Sequence, residues 1–250
     1  DQLLQAKIKD ELVRTFGGNF YEIIVGGAAF NKEADEFFNK IQFPYTVGYG
    51  MTECAPIISY AAWDKAKLFS CGKPAPRMEI RIASSDPGRI PGEIQVKGAN
   101  VMLGYYKNEE ATAESFTTDG WMRTGDMGII DEDGYLFIKG RCKSMILGPS
   151  GQNIYPEEIE SVINNMPYVI ESLVIDAAGK LVALVYPDME LAGKDGLDNA
   201  ALLAKMEENI AAVNADMPNY SKIAGVRLVP EEFEKTPKKS IKRYMYQQNG

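Results

Sequence analysis

The chain has 250 residues, of which 45% are hydrophobic, and a net charge of −8. This length allows one or two domains with sizeable cores. The acidic balance argues against a nucleic-acid-binding protein with a broad basic face. Histidine is absent, which excludes a Ser-His-Asp triad and any metal site built from histidine side chains.

The three cysteines are widely spaced and form neither a disulfide framework nor a zinc-binding pattern, which favours a reducing cytoplasm as the location. No run of about 18 apolar residues is present, so no transmembrane helix is predicted. Peripheral contact with a membrane stays open. Because the chain starts with Asp1 rather than Met, we expect it to begin inside a longer protein.

Hydrophobic spacing in the first 67 residues alternates between helical and strand-like patterns. Asn31 is the predicted cap of a helix whose inner side is expected to carry Phe37, Phe38 and Ile41. The alternation indicates α/β layering with parallel strands, and 1–67 is predicted to be a partial α/β subdomain. In chain order, the predicted elements are a helix over 3–16, a strand over 21–25, a helix over 31–40 and a strand over 46–49.

Residues 68–140 change to period-two alternation, which predicts a small β-rich subdomain with antiparallel strands. Within it, Asn108 is expected to cap a short helix, and 128–140 is expected to form a hairpin. A domain boundary is predicted at 141–143.

The remainder, 144–250, is predicted to be a separate α+β domain of ordinary size. Pro156 suits the first position of a helix. In chain order, the predicted elements are a short strand over 144–147, a helix over 156–164, strands over 168–176 and 180–186, a helix over 198–214 and a strand over 225–229.

Two glycine-containing strings follow predicted strands in the first subdomain. Gly26-Gly27-Ala28 would let a ligand approach the backbone closely, or would simply form a tight turn. In the string 49–53, Tyr49 can cover a base and Gly50 permits close approach to a ligand. The Thr52 hydroxyl can bind a phosphate oxygen, and Glu53 can hold Mg²⁺. The alternative is a capping Thr-Glu pair beside a core tyrosine.

Two further strings carry polar groups suited to a sugar or a phosphate. Asp126, in Thr124-Gly125-Asp126, can accept hydrogen bonds from both hydroxyls of a ribose, or can be an ordinary turn aspartate. Arg141, in Gly140-Arg141-Cys142-Lys143, offers a planar fork of donors, or belongs to a charged strand end on the surface.

The order of these four strings resembles the superfamily of adenylate-forming enzymes, which includes acyl- and aryl-CoA synthetases. The resemblance extends over essentially the whole chain. Further strings that carry it are Gly92-Glu93-Ile94, Gly104-Tyr105-Tyr106, Asp133-Gly134-Tyr135 and 153–160. It implies that 1–67 is the end of a large N-terminal α/β domain, and that 141–143 is a hinge at which the C-terminal domain turns about Lys143.

The resemblance implies the following roles. The first string lines the adenine and acyl sites, Tyr49 packs on the adenine, Thr52 contacts the α-phosphate and Glu53 binds Mg²⁺. On the nucleotide side, Asp126 binds the ribose hydroxyls with Arg141 beside them. Of the remaining positions, Ile138 lies near the nucleotide, and Ser150 and Gly151 belong to a loop along the pantetheine tunnel.

Two departures from the family pattern are present. The Ser/Thr/Gly-rich phosphate loop is missing, and we expect it upstream of residue 1. The lysine that attends the acyl carboxylate and the α-phosphate is replaced by Ser240. We hypothesise that the neighbouring Lys239 serves instead, so Lys239, Thr52 and Glu53 are the predicted catalytic residues.

The implied reaction joins a carboxylic acid to CoA through an acyl-adenylate, with ATP, Mg²⁺ and CoA as cofactors and cosubstrates. The run 98–106 and the lysine-rich ending favour a long-chain fatty acid. Other adenylate-forming ligases, for aryl or short-chain acids or for a carrier protein, stay open, as does an inactive nucleotide-binding homologue. The 250-residue chain alone is expected to be inactive.

Overall fold

The structure is a computed structural model that describes residues 2–237 and 239–247. The chain divides into two compact units between Lys139 and Gly140. The first unit therefore contains 1–67 and all of 68–140 except Gly140, and the predicted hinge at 141–143 lies just beyond the division. No helix in the described ranges is long and apolar enough to cross a membrane.

The first unit begins with two parallel strands and two helices. Strands β1 and β2 pair in parallel, with Ile23 opposite Tyr45, as the α/β pattern predicts. The Asn31 side chain accepts a hydrogen bond of 3.0 Å from the Ala34 amide, which confirms the predicted cap. In chain order, the elements are α1 (Gln2–Thr15), β1 (Ile23–Val25), α2 (Lys32–Lys40) and β2 (Tyr45–Val47).

The expectation that Phe37 faces the core from α2 was wrong, because its side chain is 38% exposed. Asp35 on the same helix is buried instead. It accepts hydrogen bonds from the Tyr45 hydroxyl and, at 3.0 Å, from the Phe69 amide. A carboxylate with these donors is stable in a position that a spacing rule reserves for apolar residues.

A three-stranded antiparallel sheet follows, in the order β3-β4-β5. A single 3-10 turn over Thr52–Cys54 separates the first two strands. Two strands of this sheet have only two residues each, which is too short for an alternation of apolar and polar residues to be recognised in the sequence. The strands are β3 (Tyr49–Gly50), β4 (Ile57–Tyr60) and β5 (Lys73–Pro74).

A four-stranded sheet completes the first unit, and its strands are neighbours in sequence order. The antiparallel pairing of its first two strands confirms the period-two prediction. The fully buried Ile94, Val96 and Leu136 form its core with residues of the preceding sheet. The elements are β6 (Met78–Ala83), β7 (Gly92–Gly98), α3 (Glu109–Glu114, capped by Asn108), β8 (Met122–Ile130) and β9 (Leu136–Arg141).

The second unit is built on a three-stranded sheet in the order β12-β13-β14. The first pair is antiparallel and the second is parallel. Helix α5 is not predicted by the sequence analysis. The elements are β10 (Ile146–Leu147), β11 (Asn153–Ile154), α4 (Pro156–Ile163), β12 (Val169–Ala177), β13 (Lys180–Pro187), α5 (Met189–Lys194), α6 (Asn199–Ala215) and β14 (Ile223–Leu228).

Both faces of this sheet are covered. Alternate residues along β12 enter different cores. Val174 packs with α4 and α6, whereas Leu173 packs with Phe233, which belongs to the part of the chain after β14, called here the C-terminal segment. Ile241 and Tyr246 from the same segment contact the second core. The C-terminal segment is therefore part of the packed domain.

Candidate active site

The first predicted string lies at the carboxyl ends of the two parallel strands. The Gly48 amide donates a hydrogen bond of 2.8 Å to the Val25 carbonyl. A Cβ added at Gly26 would lie 3.2 Å from the Gly48 oxygen. Gly26, Gly27 and Ala28 are exposed to solvent. Such an edge is where ligands bind in parallel α/β sheets, although the positive φ of Gly27, 90°, also fits a turn.

The second and third strings are joined by one side-chain contact. The Tyr49 hydroxyl donates a hydrogen bond of 2.6 Å to Oδ2 of Asp126, across a separation of 77 residues. Both residues are buried. The Asp126 amide donates at 3.1 Å to Oγ1 of Thr124, whose hydroxyl donates in turn to the Ile94 carbonyl. Asp126 is thus fixed at its side chain and at its backbone.

Tyr49 is only 8% exposed and belongs to the core between the two sheets. This burial agrees with the alternative interpretation, in which Tyr49 is a core residue. A contact between Tyr49 and adenine stays a prediction. Gly50 also has a structural role, since a Cβ there would overlap the carbonyl of Pro56. The absence of a side chain at Gly50 lets the backbone of Pro56 pack against it, whether or not a ligand also approaches.

Thr52 and Glu53 lie in the 3-10 turn that follows. Thr52 is exposed and Glu53 is half-buried. Glu53 is held by a neighbouring segment at two atoms: its carbonyl accepts a hydrogen bond of 2.7 Å from the Met102 amide, and its Oε1 accepts one of 2.9 Å from the Tyr105 hydroxyl. This bond to the carboxylate raises the pKa of Tyr105 above its usual range, so the phenol stays a donor at neutral pH.

Glu53 suits a magnesium ion that is shared with a substrate. Within 2–237 and 239–247, no group of three or more His, Cys, Asp and Glu side chains could form a protein-only metal cage. Mg²⁺ commonly takes one or two carboxylates together with substrate phosphates and several waters. A single, oriented, half-buried carboxylate fits that mode.

The remaining positions that were predicted to contact a nucleotide lie along and after β9. Ile138 is on this strand with 36% of its surface exposed. Arg141 ends the strand, and its carbonyl accepts hydrogen bonds from the amides of Ser144 and Met145 at 3.1 and 3.2 Å. These bonds close a turn that contains the exposed Lys143. A closed turn gives Lys143 a defined backbone, and its role as a hinge stays a prediction.

Ser150 and Gly151 are exposed at the tip of the β10-β11 hairpin. The loop is closed by the Gly148 amide, which donates to the Gln152 carbonyl at 2.8 Å. Gly151 has a φ of 83°, which favours glycine. The loop is an ordered surface projection, and its contact with a pantetheine chain is untested by this geometry.

Lys239 occupies a tight turn in the C-terminal segment. The Thr236 amide donates to the Ser240 carbonyl and the Lys239 amide donates to the Thr236 carbonyl, both at 2.8 Å. Lys239 is exposed and has a φ of 61°. Strand-like pairing of Lys235 with Ile241 closes the base of the turn. The turn therefore presents Lys239 at its tip.

Three other cations of this segment form ion pairs with glutamates. Lys235 lies 2.8 Å from Glu171, Lys242 lies 3.5 Å from Glu234, and Arg243 pairs with the buried Glu160. Lys238 lies outside the described residues. The pairing of Lys242 makes it a poorer candidate than Lys239 for the lysine missing at Ser240.

Two residues around Glu53 were missed as functional candidates by the sequence reasoning. Tyr105 was noticed only as part of a family string, and Asn100 only as a member of the run 98–106. The side-chain amide of Asn100 donates to the carbonyls of Cys54 and Ile57, at 2.6 and 3.1 Å. A sequence signal did exist for Tyr105, because it directly follows a glycine in Gly104-Tyr105-Tyr106, one of the strings that carry the family resemblance.

Comparison with known proteins finds matches along both units. The family model described as AMP-binding enzyme matches residues 2–106. The model of the AMP-binding enzyme C-terminal domain matches residues 143–249. Residues 107–142, which include Asp126 and Arg141, lie between the two matched segments.

Curated relatives are CoA ligases with different acids in their names. The chain is 31% identical to the long-chain-fatty-acid–CoA ligase FadD15 of Mycobacterium bovis, over 97% of this chain and 42% of that protein. It is 36% identical to the 2-succinylbenzoate–CoA ligase of Bacillus cytotoxicus, over 68% of this chain and 37% of that protein. The chain thus spans less than half the length of these relatives.

A solved structure shares the fold. The o-succinylbenzoate CoA synthetase of Bacillus subtilis, in complex with ATP and a magnesium ion, is 26% identical with a TM-score of 0.74. The match covers 95% of this chain and 49% of that one.

Proposed function

This chain belongs to the family of AMP-binding enzymes, and we propose that it supplies the nucleotide side and the C-terminal domain of an ATP-dependent acid–CoA ligase. The observation that carries this proposal is the hydrogen bond between Tyr49 and Asp126. It joins two strings that are distant in the sequence, at a point where the exposed Thr52 and the oriented Glu53 follow directly along the chain.

In the proposed reaction, a carboxylate oxygen of the acid attacks the α-phosphorus of ATP, and pyrophosphate leaves. The CoA sulfur then attacks the acyl carbon, and AMP leaves. Such phosphorus chemistry depends mainly on positioning and on neutralising charge. Mg²⁺ bound at Glu53 would supply charge neutralisation at the phosphates.

The protein groups have separate tasks in this proposal. Asp126 accepts hydrogen bonds from the ribose hydroxyls, with Arg141 as a further donor to the nucleotide. The Thr52 hydroxyl donates to an α-phosphate oxygen. Lys239 places its ammonium group against the acyl carboxylate and the α-phosphate, because its turn exposes it while Lys242 is paired with Glu234.

For the acid, we propose a long-chain fatty acid. The run 98–106 and the lysine-rich ending support it, and the relative from Mycobacterium bovis described above is named for such an acid. The experiment is to supply the complete polypeptide with ATP, Mg²⁺, CoA and carboxylic acids of graded length. We expect CoA thioesters of long acids, and turnover of only aryl or short acids would overturn the choice of acid.

Ser240 favours a second candidate, an inactive nucleotide-binding homologue, because the lysine expected at that position is absent. In the complete polypeptide, Lys239→Ala should lower the rate of acyl-adenylate formation by at least about a hundredfold, the scale of losing one oriented charge at a reacting phosphate. Lys238→Ala is the neighbouring control. Equal and mild effects would exclude Lys239, and ATP binding without pyrophosphate release from any acid would favour the inactive homologue.

A further inference from the structure

The side chain of Tyr105 contacts Glu53 but has no role in the reaction proposed above. The carboxylate Oε1 is held by the Tyr105 hydroxyl at 2.9 Å, across 52 residues of sequence. The backbone beside it is fixed as well, by the backbone amide of Met102 on the Glu53 carbonyl and by the side-chain amide of Asn100 on the Cys54 carbonyl. The segment 100–105 therefore controls both the backbone and the side chain of Glu53.

Tyr105 is itself anchored by helix α3. Its amide donates a hydrogen bond of 2.9 Å to Oγ1 of Thr112, and that hydroxyl donates at 2.7 Å to the Asn108 carbonyl. The preceding residue must be glycine for this approach, since a Cβ at Gly104 would lie 2.6 Å from Cγ2 of Thr112. The cap of α3 and the position of the phenol are thus linked through Thr112.

The adjacent tyrosine provides an internal contrast. Tyr106 is 88% exposed, whereas Tyr105 is 40% exposed. The Tyr106 ring meets the Lys107 ammonium at 5.2 Å rather than a carboxylate. Of two consecutive tyrosines, one is therefore directed to Glu53 and the other to solvent.

We propose that Tyr105 is a positioning residue for the metal-binding carboxylate, and that it orients Glu53 so that Oε2 faces the ion. This inference rests on the proposed function, which assigns Mg²⁺ to Glu53. A carboxylate held at one oxygen by a neutral donor keeps its charge for a cation and loses rotational freedom before the ion arrives.

The test measures how much Mg²⁺ strengthens ATP binding to the complete polypeptide, by calorimetry with Mg²⁺ and with EDTA. We expect Tyr105→Phe to reduce this strengthening by about fivefold, the scale of one hydrogen bond, with the affinity in EDTA unchanged. Tyr106→Phe, the matched control, should leave both affinities unchanged. Thr112→Val removes the hydroxyl that anchors the Tyr105 backbone and does not touch Glu53. It should also reduce the strengthening of ATP binding by Mg²⁺.

A Glu53→Gln variant separates failure of this inference from failure of the proposed function. If Glu53→Gln abolishes the effect of Mg²⁺ while Tyr105→Phe retains it in full, Glu53 is a metal ligand and the positioning role of Tyr105 is wrong. If Glu53→Gln retains the effect, or the unmodified protein shows none, the metal assignment itself is wrong and the inference falls with it. Equal losses with both tyrosine variants would indicate a general disturbance of the loop, and would also overturn it.

Discussion

Tyr49 donates a hydrogen bond to Asp126 through two side chains that are each at least nine-tenths buried. The contact ties β3 of one sheet to β8 of the next, so that the two strings lie together within the first unit. A buried carboxylate needs such donors, because an unsatisfied one is costly. The hydrogen bond that stabilises the fold therefore also fixes the orientation of the Asp126 carboxylate, which we propose binds the ribose.

Replacing Tyr49 by Phe should destabilise the first unit by about 1–3 kcal/mol, because Asp126 then loses a donor while its Oδ2 stays buried. The measurement is urea unfolding of the chain, followed by the fluorescence of Trp63 and Trp121, both of which lie in this unit. Tyr106→Phe removes a hydroxyl from an exposed ring and should change the stability by less than about 0.5 kcal/mol. Equal effects of the two changes would show that the hydroxyl of Tyr49 contributes nothing specific.

In the second unit, Glu160 should be the side chain whose removal most disturbs the seating of the C-terminal segment. Its Oε1 accepts a hydrogen bond of 2.7 Å from the Val174 amide, and its Oε2 pairs with Arg243. Glu160→Ala leaves the Val174 amide without its acceptor and leaves Arg243 with only its longer contact to Glu157, at 3.6 Å. We expect a loss of about 3 kcal/mol, at the lower end of the range for a broken buried pair. Far-UV circular dichroism during urea unfolding measures it.

Two companion variants calibrate that value. Glu160→Gln keeps an acceptor for the Val174 amide but not the charge, so it should be milder than Glu160→Ala. Glu207→Ala removes a glutamate from an exposed position on α6 and should change the stability by less than about 0.5 kcal/mol. If Glu207→Ala were as damaging as Glu160→Ala, the pair with Arg243 would have no special role.

Local signals made much of the fold predictable. Asn31 and Asn108 cap the helices that they were expected to cap, and Pro156 begins α4. The alternation in 78–82 gave an antiparallel strand. Each of these signals acts within a few residues, where side-chain chemistry and backbone geometry are directly coupled.

What could not be predicted depends on partners far away in the sequence. The strands β3 and β5 have two residues each and exist because β4 pairs with both of them. Asp35 is buried because Tyr45 and Phe69 supply donors to it. In the site, the string 49–53 indicated which chemical groups were present, but not that Tyr49 would bind Asp126 or that Glu53 would bind Tyr105.

The three cysteines should differ sharply in their reactivity. Cys54 is fully buried and Cys71 is 8% exposed. Burial raises the pKa of Cys54 to about 11, with a contribution from Glu53, and raises that of Cys71 to about 12. Both thiols therefore stay protonated and unreactive at neutral pH, since the thiolate is the nucleophile. Cys142 is half-exposed in the turn after β9.

Ellman's reagent added to the native chain at pH 8 should thus modify one thiol per chain rapidly, and all three only in denaturant. Cys142→Ser should remove the rapid phase, whereas Cys71→Ser should leave it intact. Rapid modification of two or three thiols in the folded chain would contradict the burial of Cys54 and Cys71. Because Cys142 lies beside Lys143, slowing of the rapid phase by a bound nucleotide would also report a change at the predicted hinge in the complete polypeptide.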